Sequence, residues 1–318
     1  MSESDPRGKK QAETATRARS GRVAIVGRPN VGKSTLLNSL LGEPIAIISS
    51  HPQTTRDQIL GVVTEDGAQF AFVDTPGVHP ARNKLGAHMN QQARDAARDA
   101  DAILFVTDIP RNPRKPLNPA DQAILSSLPA DIPVILVLNK VDLVRDKTEL
   151  LPMLQAFSEA YDFKAIVPIS ARRTEGRANV LRAVAEFLPE QEFLFPTDSL
   201  SDKPMRFFVS EFVREQILRA TRAEVPHGVA VVVERFDEAP KVPRIELAVH
   251  VDKETHKGIV IGAGGSLLKE IGTKARERVE QMMGKQVHLQ IWVRVTPGWS
   301  ESDAMLRDMG YGDKPDES

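Results

Sequence analysis

The sequence predicts a doubly wound α/β domain followed by a smaller α+β domain. Three observations carry this reading. Between residues 21 and 189, apolar runs at 23–26, 69–73, 102–107, 134–138 and 165–169 alternate with helical patterns at 36–41, 86–100, 120–128, 147–161 and 178–188. Continuous Val/Ile/Leu character over so few residues is that of strands buried on both faces, as in a parallel sheet covered by helices. The run 61–64, with the turn pair Asp66-Gly67 after it, adds a hairpin onto 69–73. After a polar, proline-flanked stretch at 195–204 the pattern changes to helix (206–220), two strands (228–235, 244–251), helix (256–261), a glycine break, helix (266–283) and strand (287–295). The expected division is a disordered tail at 1–20, a first domain at 21–194, a linker at 195–204, a second domain at 205–312 and a short tail at 313–318.

Composition narrows the chemistry. With 318 residues, two domains are the natural expectation. The chain has no cysteine, which excludes disulfides, thiolate metal sites and a cysteine nucleophile, and fits a reducing compartment. Its net charge of −1 gives no global field toward nucleic acid, so any basic surface is local. No apolar run approaches the ~18 residues of a membrane span. The first twenty residues lack the apolar segment of a secretory signal and read as a solvated tail that leans basic.

Each motif falls at the carboxyl end of an expected strand, where open α/β sheets bind ligands. Gly27-Arg28-Pro29-Asn30-Val31-Gly32-Lys33-Ser34-Thr35 joins the first strand to the first helix. This is a phosphate loop: its glycines let backbone N–H groups turn inward, and the helix N-terminus adds positive charge. Lys33 can reach the β- and γ-phosphates, and Ser34 can offer a hydroxyl to magnesium. Asp74-Thr75-Pro76-Gly77 follows the strand at 69–73. Asp74 can hold the same magnesium, directly or through water, and the Gly77 N–H can face a γ-phosphate. In Asn139-Lys140-Val141-Asp142 a carboxylate at Asp142 can accept from guanine N1–H and the 2-amino group. Adenine has no donors there and would leave the carboxylate unpaired. Lys140 can pack its stem over the purine, and the N–H groups of Ser170-Ala171 can face guanine O6. Gln53-Thr54-Thr55-Arg56-Asp57, between the first two motifs, reads as a mobile loop with Thr55, in preference to Thr54, as the magnesium ligand.

In this order and spacing the five motifs resemble those of the translation-factor-related bacterial GTPases. Val78 stands where Ras-type GTPases carry a glutamine that orients water, and valine cannot hydrogen-bond it. Backbone, a monovalent cation or a partner must place the water. The resemblance implies that Asn30 helps coordinate K+, with a turn-shaping role for Asn30 as the alternative and Arg56 as a less favoured internal arginine finger.

The second-domain order, with Gly262-Ala263-Gly264-Gly265 between two helices, resembles a type II KH domain. In such domains the loop clamps the backbone of single-stranded RNA. Lys257, Lys269, Lys274, Arg276 and Arg278 give it a local basic patch, and Ile259, Val260 and Ile261 are candidates to line the base groove. Ala263-Gly264 lacks the basic residue that such loops often carry. His250, His256 and His288 show no zinc-like spacing and read as structural or groove-lining.

Phosphate loop and KH domain together resemble the Era family of GTPases, over residues 21–312. That resemblance implies GTP/GDP and Mg2+ as ligands and binding near the 3′ end of small-subunit (16S) rRNA. It further implies a role in 30S ribosomal subunit assembly and a cytoplasmic monomer with peripheral contact to the cytoplasmic face of the cell membrane. The competing readings are a tRNA-modifying GTPase, for which no second catalytic constellation is present, and a regulatory GTPase whose second domain binds protein.

Overall fold

The computed structural model describes residues 18–311, apart from 50, 52–53, 82, 111, 113–114 and 222–224. Gln53, most of the expected N-terminal tail, Gly312 and the C-terminal tail lie outside the described residues.

The first domain is a six-stranded sheet: β1 (Arg19–Val26), β2 (Ile59–Glu65), β3 (Ala68–Asp74), β4 (Ala102–Asp108), β5 (Val134–Asn139) and β6 (Ala165–Pro168). The strand order is β2-β3-β1-β4-β5-β6, parallel except for the expected β2–β3 hairpin. Helices α1 (Lys33–Leu41) and α5 (Arg177–Ala185) cover one face; α2 (Lys84–Arg98), α3 (Pro119–Ser126) and α4 (Leu150–Ala160) cover the other. Arg19 and Ser20, assigned to the tail by sequence, open β1. Ser20 is fully buried, its N–H bonds Pro189 O and its hydroxyl bonds Glu192 O, so polar residues here enter the sheet by pairing with the chain that leaves the domain. Strand order reverses between β1 and β4, which puts the phosphate loop at the switch point.

Chain 195–204 is strapped along the hairpin edge. Gln69 exchanges hydrogen bonds with the Phe195 backbone, Val62 N–H donates to Leu200 O, and Ser201 Oγ donates to Leu60 O. The second domain follows: α6 (Met205–Ala220), β7 (Val229–Asp237), β8 (Arg244–Val251), α7 (Glu254–Ile261), α8 (Ser266–Met283) and β9 (His288–Val295). Its sheet order is β7-β8-β9, with β8 and β9 parallel. Beyond β9 the chain turns back through a short helix, α9 (Asp303–Asp308). Trp299, Leu306, Met309 and Tyr311 from this last segment form one buried cluster with Ala230 of β7 and with Leu85 and Met89 of α2, so the segment belongs to both domains. Among the described residues no helix is long and apolar enough to cross a membrane.

Candidate nucleotide site and RNA-binding loop

A pocket of 520 Å³, within the size range of small-ligand sites, opens at the carboxyl ends of β1, β3, β5 and β6. It is lined by residues from all five motifs, among them Lys33, Thr55, Gly77, Asp142 and Ser170. The loop backbone explains its glycines. Gly32 has φ +104°, and a Cβ there would meet Asn139 Nδ2 at 2.2 Å. Gly77 lies so close to Pro29 that a Cβ would meet it at 2.9 Å, so the second motif abuts the first. Gly32 caps α1 with no side-chain hydrogen bond, which leaves that N-terminus to a ligand. Lys33 Nζ donates to Gly27 O and Arg28 O (both 3.0 Å), and burial brings its pKa down to about 8.

Three oxygens converge beside Lys33. Ser34 Oγ donates to Asp74 Oδ2 at 2.6 Å, Thr55 Oγ1 lies 2.9 Å from Ser34 Oγ, and Thr55 reaches Asp74 Oδ2 at 3.4 Å. Asp74 is fully buried behind the other two, and its Oδ1 takes no hydrogen bond. A buried, unsatisfied carboxylate oxygen is costly, and an all-oxygen donor set suits a hard divalent cation. These residues therefore fit Mg2+, with Ser34 and Thr55 toward the pocket and Asp74 behind them. Thr54 turns its hydroxyl to His51 O (2.6 Å).

Several motif residues serve the scaffold. Asn139 Nδ2 donates to Val31 O (2.8 Å), while Asn139 Oδ1 accepts from Lys140 N (2.7 Å) and Ala171 N (2.9 Å), so one carboxamide ties three motifs together. The Ala171 N–H, expected at guanine O6, is thus taken by Asn139. Thr75 is also spent internally, on Ile25 O (2.8 Å), and the Val31 side chain lies in the core. Lys140 adopts φ 65°, and its Nζ bonds Asn30 O and Asp108 Oδ2, both at 2.9 Å. Asp142 is exposed at the mouth, and its hydrogen bond with Ser170 holds its carboxyl below the usual range. Sequence reading missed a brace under the loop. Arg28 pairs with Asp121 (2.7 Å) and Asp108 (3.0 Å), and Asp108 passes the tie on to Lys140. No motif names these aspartates; their placement at the end of β4 and in the first turn of α3 comes from the fold. Arg56 is 1% exposed and reaches the second domain, bonding Val229 O, so it does not enter the nucleotide pocket as a finger. Asn30 is exposed at the rim with φ 63°.

In the second domain Ala263 and Gly264 are exposed between α7 and α8, and Gly262, Gly264 and Gly265 all have positive φ. Ile259 (48% exposed) faces outward and Ile261 is partly exposed beside the loop. Val260, a groove candidate by sequence, is fully buried in the core, because an eight-residue helix on a sheet must turn one face inward. Lys257 is partly exposed, and Lys269 and Lys274 of α8 are exposed, with Lys274 paired to Glu270 (2.6 Å). Arg278 does not join them. It ion-pairs with buried Glu215 of α6, stacks 4.2 Å over Phe212, and donates to Pro44 O of the first domain. At more than three helical turns from Gly265, it lies at the domain junction. His256 is buried, His250 bonds Thr296 Oγ1, and His288 is exposed at the start of β9.

Comparison with known proteins agrees with both halves. Residues 22–140 match the family model described as 50S ribosome-binding GTPase, and residues 224–300 match the KH domain model. Curated relatives include the GTPase Era of Coxiella burnetii, 43% identical over 293 residues covering 92% of this chain and 97% of the relative. The GTPase Era of Geotalea uraniireducens is 44% identical over 299 residues, 94% and 99% of the two chains. Among solved structures, a variant of Aquifex aeolicus Era bound to GDP.AlF4− is 38% identical with a TM-score of 0.87, covering 93% of this chain and all of that one. Era in complex with MgGDPNP and nucleotides 1506–1542 of 16S ribosomal RNA aligns with the same identity, TM-score and coverage. With identity above 40% across both domains and the GTPase motifs assembled in one pocket, this chain belongs to the Era family of GTPases.

Proposed function

We propose that this GTPase is a nucleotide-controlled RNA switch that binds 16S rRNA near its 3′ end through its KH domain and assists 30S subunit assembly. The observation that carries it is the likeness, at TM-score 0.87 over 93% of the chain, to an Era solved with MgGDPNP and nucleotides 1506–1542 of 16S rRNA. The loop at 262–265, exposed at Ala263 and Gly264, with Ile259, Ile261, Lys257, Lys269 and Lys274 around it supplies the matching surface.

In this reading Lys33, the loop N–H groups and Gly77 hold the phosphates, and Asp142 selects guanine. Ser34, Thr55 and Asp74 would hold Mg2+, which when bound neutralises charge on the β- and γ-phosphates. Asn30 at the rim is the candidate K+ contact, in a site where Val78 supplies no hydrogen bond to water. The protein works in the cytoplasm as a monomer, and any contact with the cytoplasmic membrane face is peripheral. By linkage, RNA that prefers the GTP form must raise GTP affinity over GDP by the same factor.

The test is binding of a small-subunit rRNA 3′-end oligonucleotide and a scrambled control, each with a non-hydrolysable GTP analogue and with GDP, across a salt series. Selective, analogue-dependent binding that falls steeply with salt is expected. Equal affinity in both nucleotide states removes the switch, since equal affinity shifts nothing. Salt-insensitive or unselective binding would point to the protein-partner reading instead.

A further inference from the structure

Thr55 and Arg56 are consecutive residues that face different domains. Thr55 Oγ1 points into the oxygen cluster of the nucleotide pocket, 2.9 Å from Ser34 Oγ. Arg56 runs the other way. Its Nη1 donates to Val229 O, at the first residue of β7, at 2.5 Å. Its guanidinium lies 5.5 Å from the centroid of Trp299 and 5.9 Å from that of Tyr311, two rings stacked at 5.9 Å. Both rings are buried, and Trp299 is held in turn by its Nε1–H on Gly228 O. One residue earlier, Thr54 O accepts from Arg214 of α6.

A buried guanidinium is expensive unless its surroundings compensate it. Here two aromatic rings, the Tyr311 hydroxyl and a carbonyl offset part of that cost, and desolvated cation–π contacts are the strong ones. The same aromatic segment packs on Leu85 and Met89 of α2, the helix that follows the Asp74–Gly77 motif, and Asp303 pairs with Lys84 at 2.5 Å. Both loops that meet the phosphates therefore end on one C-terminal segment. Thr55 and Arg56 share one peptide unit, which holds their Cα atoms about 3.8 Å apart, so a rearrangement of the backbone at Thr55 acts directly on the root of the Arg56 side chain.

We propose that Arg56 is a positioning residue: it carries the state of Thr55 into the aromatic box of Trp299 and Tyr311 and so sets how the C-terminal domain is seated on the nucleotide domain. The consequence for RNA affinity rests on the function proposed above; the movement of the box does not.

The experiment has two arms. The chain holds two tryptophans, Trp292 and Trp299. In a Trp292→Phe protein the emission of Trp299 is recorded with Mg2+ and either GDP or a non-hydrolysable GTP analogue. A different emission intensity in the two states is expected, and its loss on adding Arg56→Ala. Identical Trp299 emission with both nucleotides overturns the inference. This arm uses no RNA, so it fails or stands separately from the RNA reading, and its parent protein keeps the box intact if Arg56→Ala does not fold. In the second arm the analogue-over-GDP ratio of RNA affinities is compared between wild type, Arg56→Ala and Tyr311→Leu. A drop of about fivefold or more in both variants is expected, the lower end of ordinary coupling between two sites. Folded variants that keep the wild-type ratio overturn the inference.

Discussion

Ser34 Oγ donates to Asp74 Oδ2 at 2.6 Å, so the first turn of α1 is tied to the end of β3 through two oxygens that also suit a cation. Burial raises the Asp74 carboxyl to about 6, against the pull of Lys33, Ser34 and Thr55. Ser34→Ala and Asp74→Ala should each remove most of the Mg2+ dependence of GDP binding. The expected loss is roughly 10- to 100-fold with Mg2+ present, the equivalent of one charge-assisted hydrogen bond, and little change in EDTA. Titration calorimetry with and without chelator checks this; variants that keep the full Mg2+ effect would place the cation elsewhere.

In the proposed function base choice rests on one carboxylate. Asp142 is exposed and held by Ser170 at the mouth of the pocket, while the Asn139 carboxamide behind it bonds the backbone at Val31, Lys140 and Ala171. Asp142→Asn should therefore lower GTP affinity by 10²-fold or more, on the order of the penalty for an unmatched buried polar group, and raise affinity for xanthosine triphosphate. Asn139→Ala should instead weaken every nucleotide and lower stability, because it unties three loops at once. Competition among GTP, ATP and xanthosine triphosphate separates the two outcomes.

The motifs and strands were legible because their signals are local. A Gly-Lys-Ser after an apolar run, an Asp at a strand end and a glycine break between helices need no knowledge of distant residues. What sequence reading could not place depends on contacts between distant segments. Arg278 sits four residues beyond Lys274, and only the packing of α8 on α6 shows that it faces Glu215 instead of the loop. Arg56 lies in a loop motif, yet the carbonyl and the two rings that it meets lie 173 residues or more along the chain. Ser20 is polar and by sequence alone belongs to the tail, but its bonds to the backbone at Pro189 and Glu192 make it a strand residue.

Arg278 and Lys269 should separate cleanly in RNA binding. Lys269 is exposed near the loop, so Lys269→Ala should weaken RNA binding and reduce the salt slope by about one. Arg278→Ala leaves Glu215, 1% exposed, bonded to Ile48 N–H and Arg219. It should cost about 3 kcal/mol of stability, the low end for breaking a buried pair because Arg219 still faces Glu215, and leave the salt slope unchanged. Denaturant unfolding and a salt series of RNA affinities read the two effects. A reduced slope for Arg278→Ala would return that side chain to the RNA surface.

Turnover should depend on the monovalent cation. The Val78 side chain packs against the core and cannot hydrogen-bond water, while Asn30 stands exposed at the rim of the pocket. GTP hydrolysis should be faster in KCl than in NaCl at equal ionic strength, and Asn30→Ala should bring the two rates together. Equal wild-type rates in both salts would remove the cation from the reading.

Asp57 gives a stability signal with a defined sign. It is partly buried at the domain junction, and burial followed by the charge of Glu211 raises its carboxyl to about 6, while Lys203, Arg214 and Gln92 pull it down. A carboxyl whose folded pKa lies above its unfolded one binds its proton more tightly in the native state. Ionising it therefore costs stability, fully so above about pH 6 and not at all once both states are protonated, below about pH 4. Asp57→Asn, which stays neutral, should be more stable than wild type by about 2–3 kcal/mol at pH 7.5. The gain should shrink through pH 6 to 5 and vanish near pH 4. Denaturant midpoints for both proteins across that range test the sign directly. A variant that is destabilised at pH 7.5 would mean that the ionised carboxylate is held by Arg214 and Lys203 more strongly than burial opposes it.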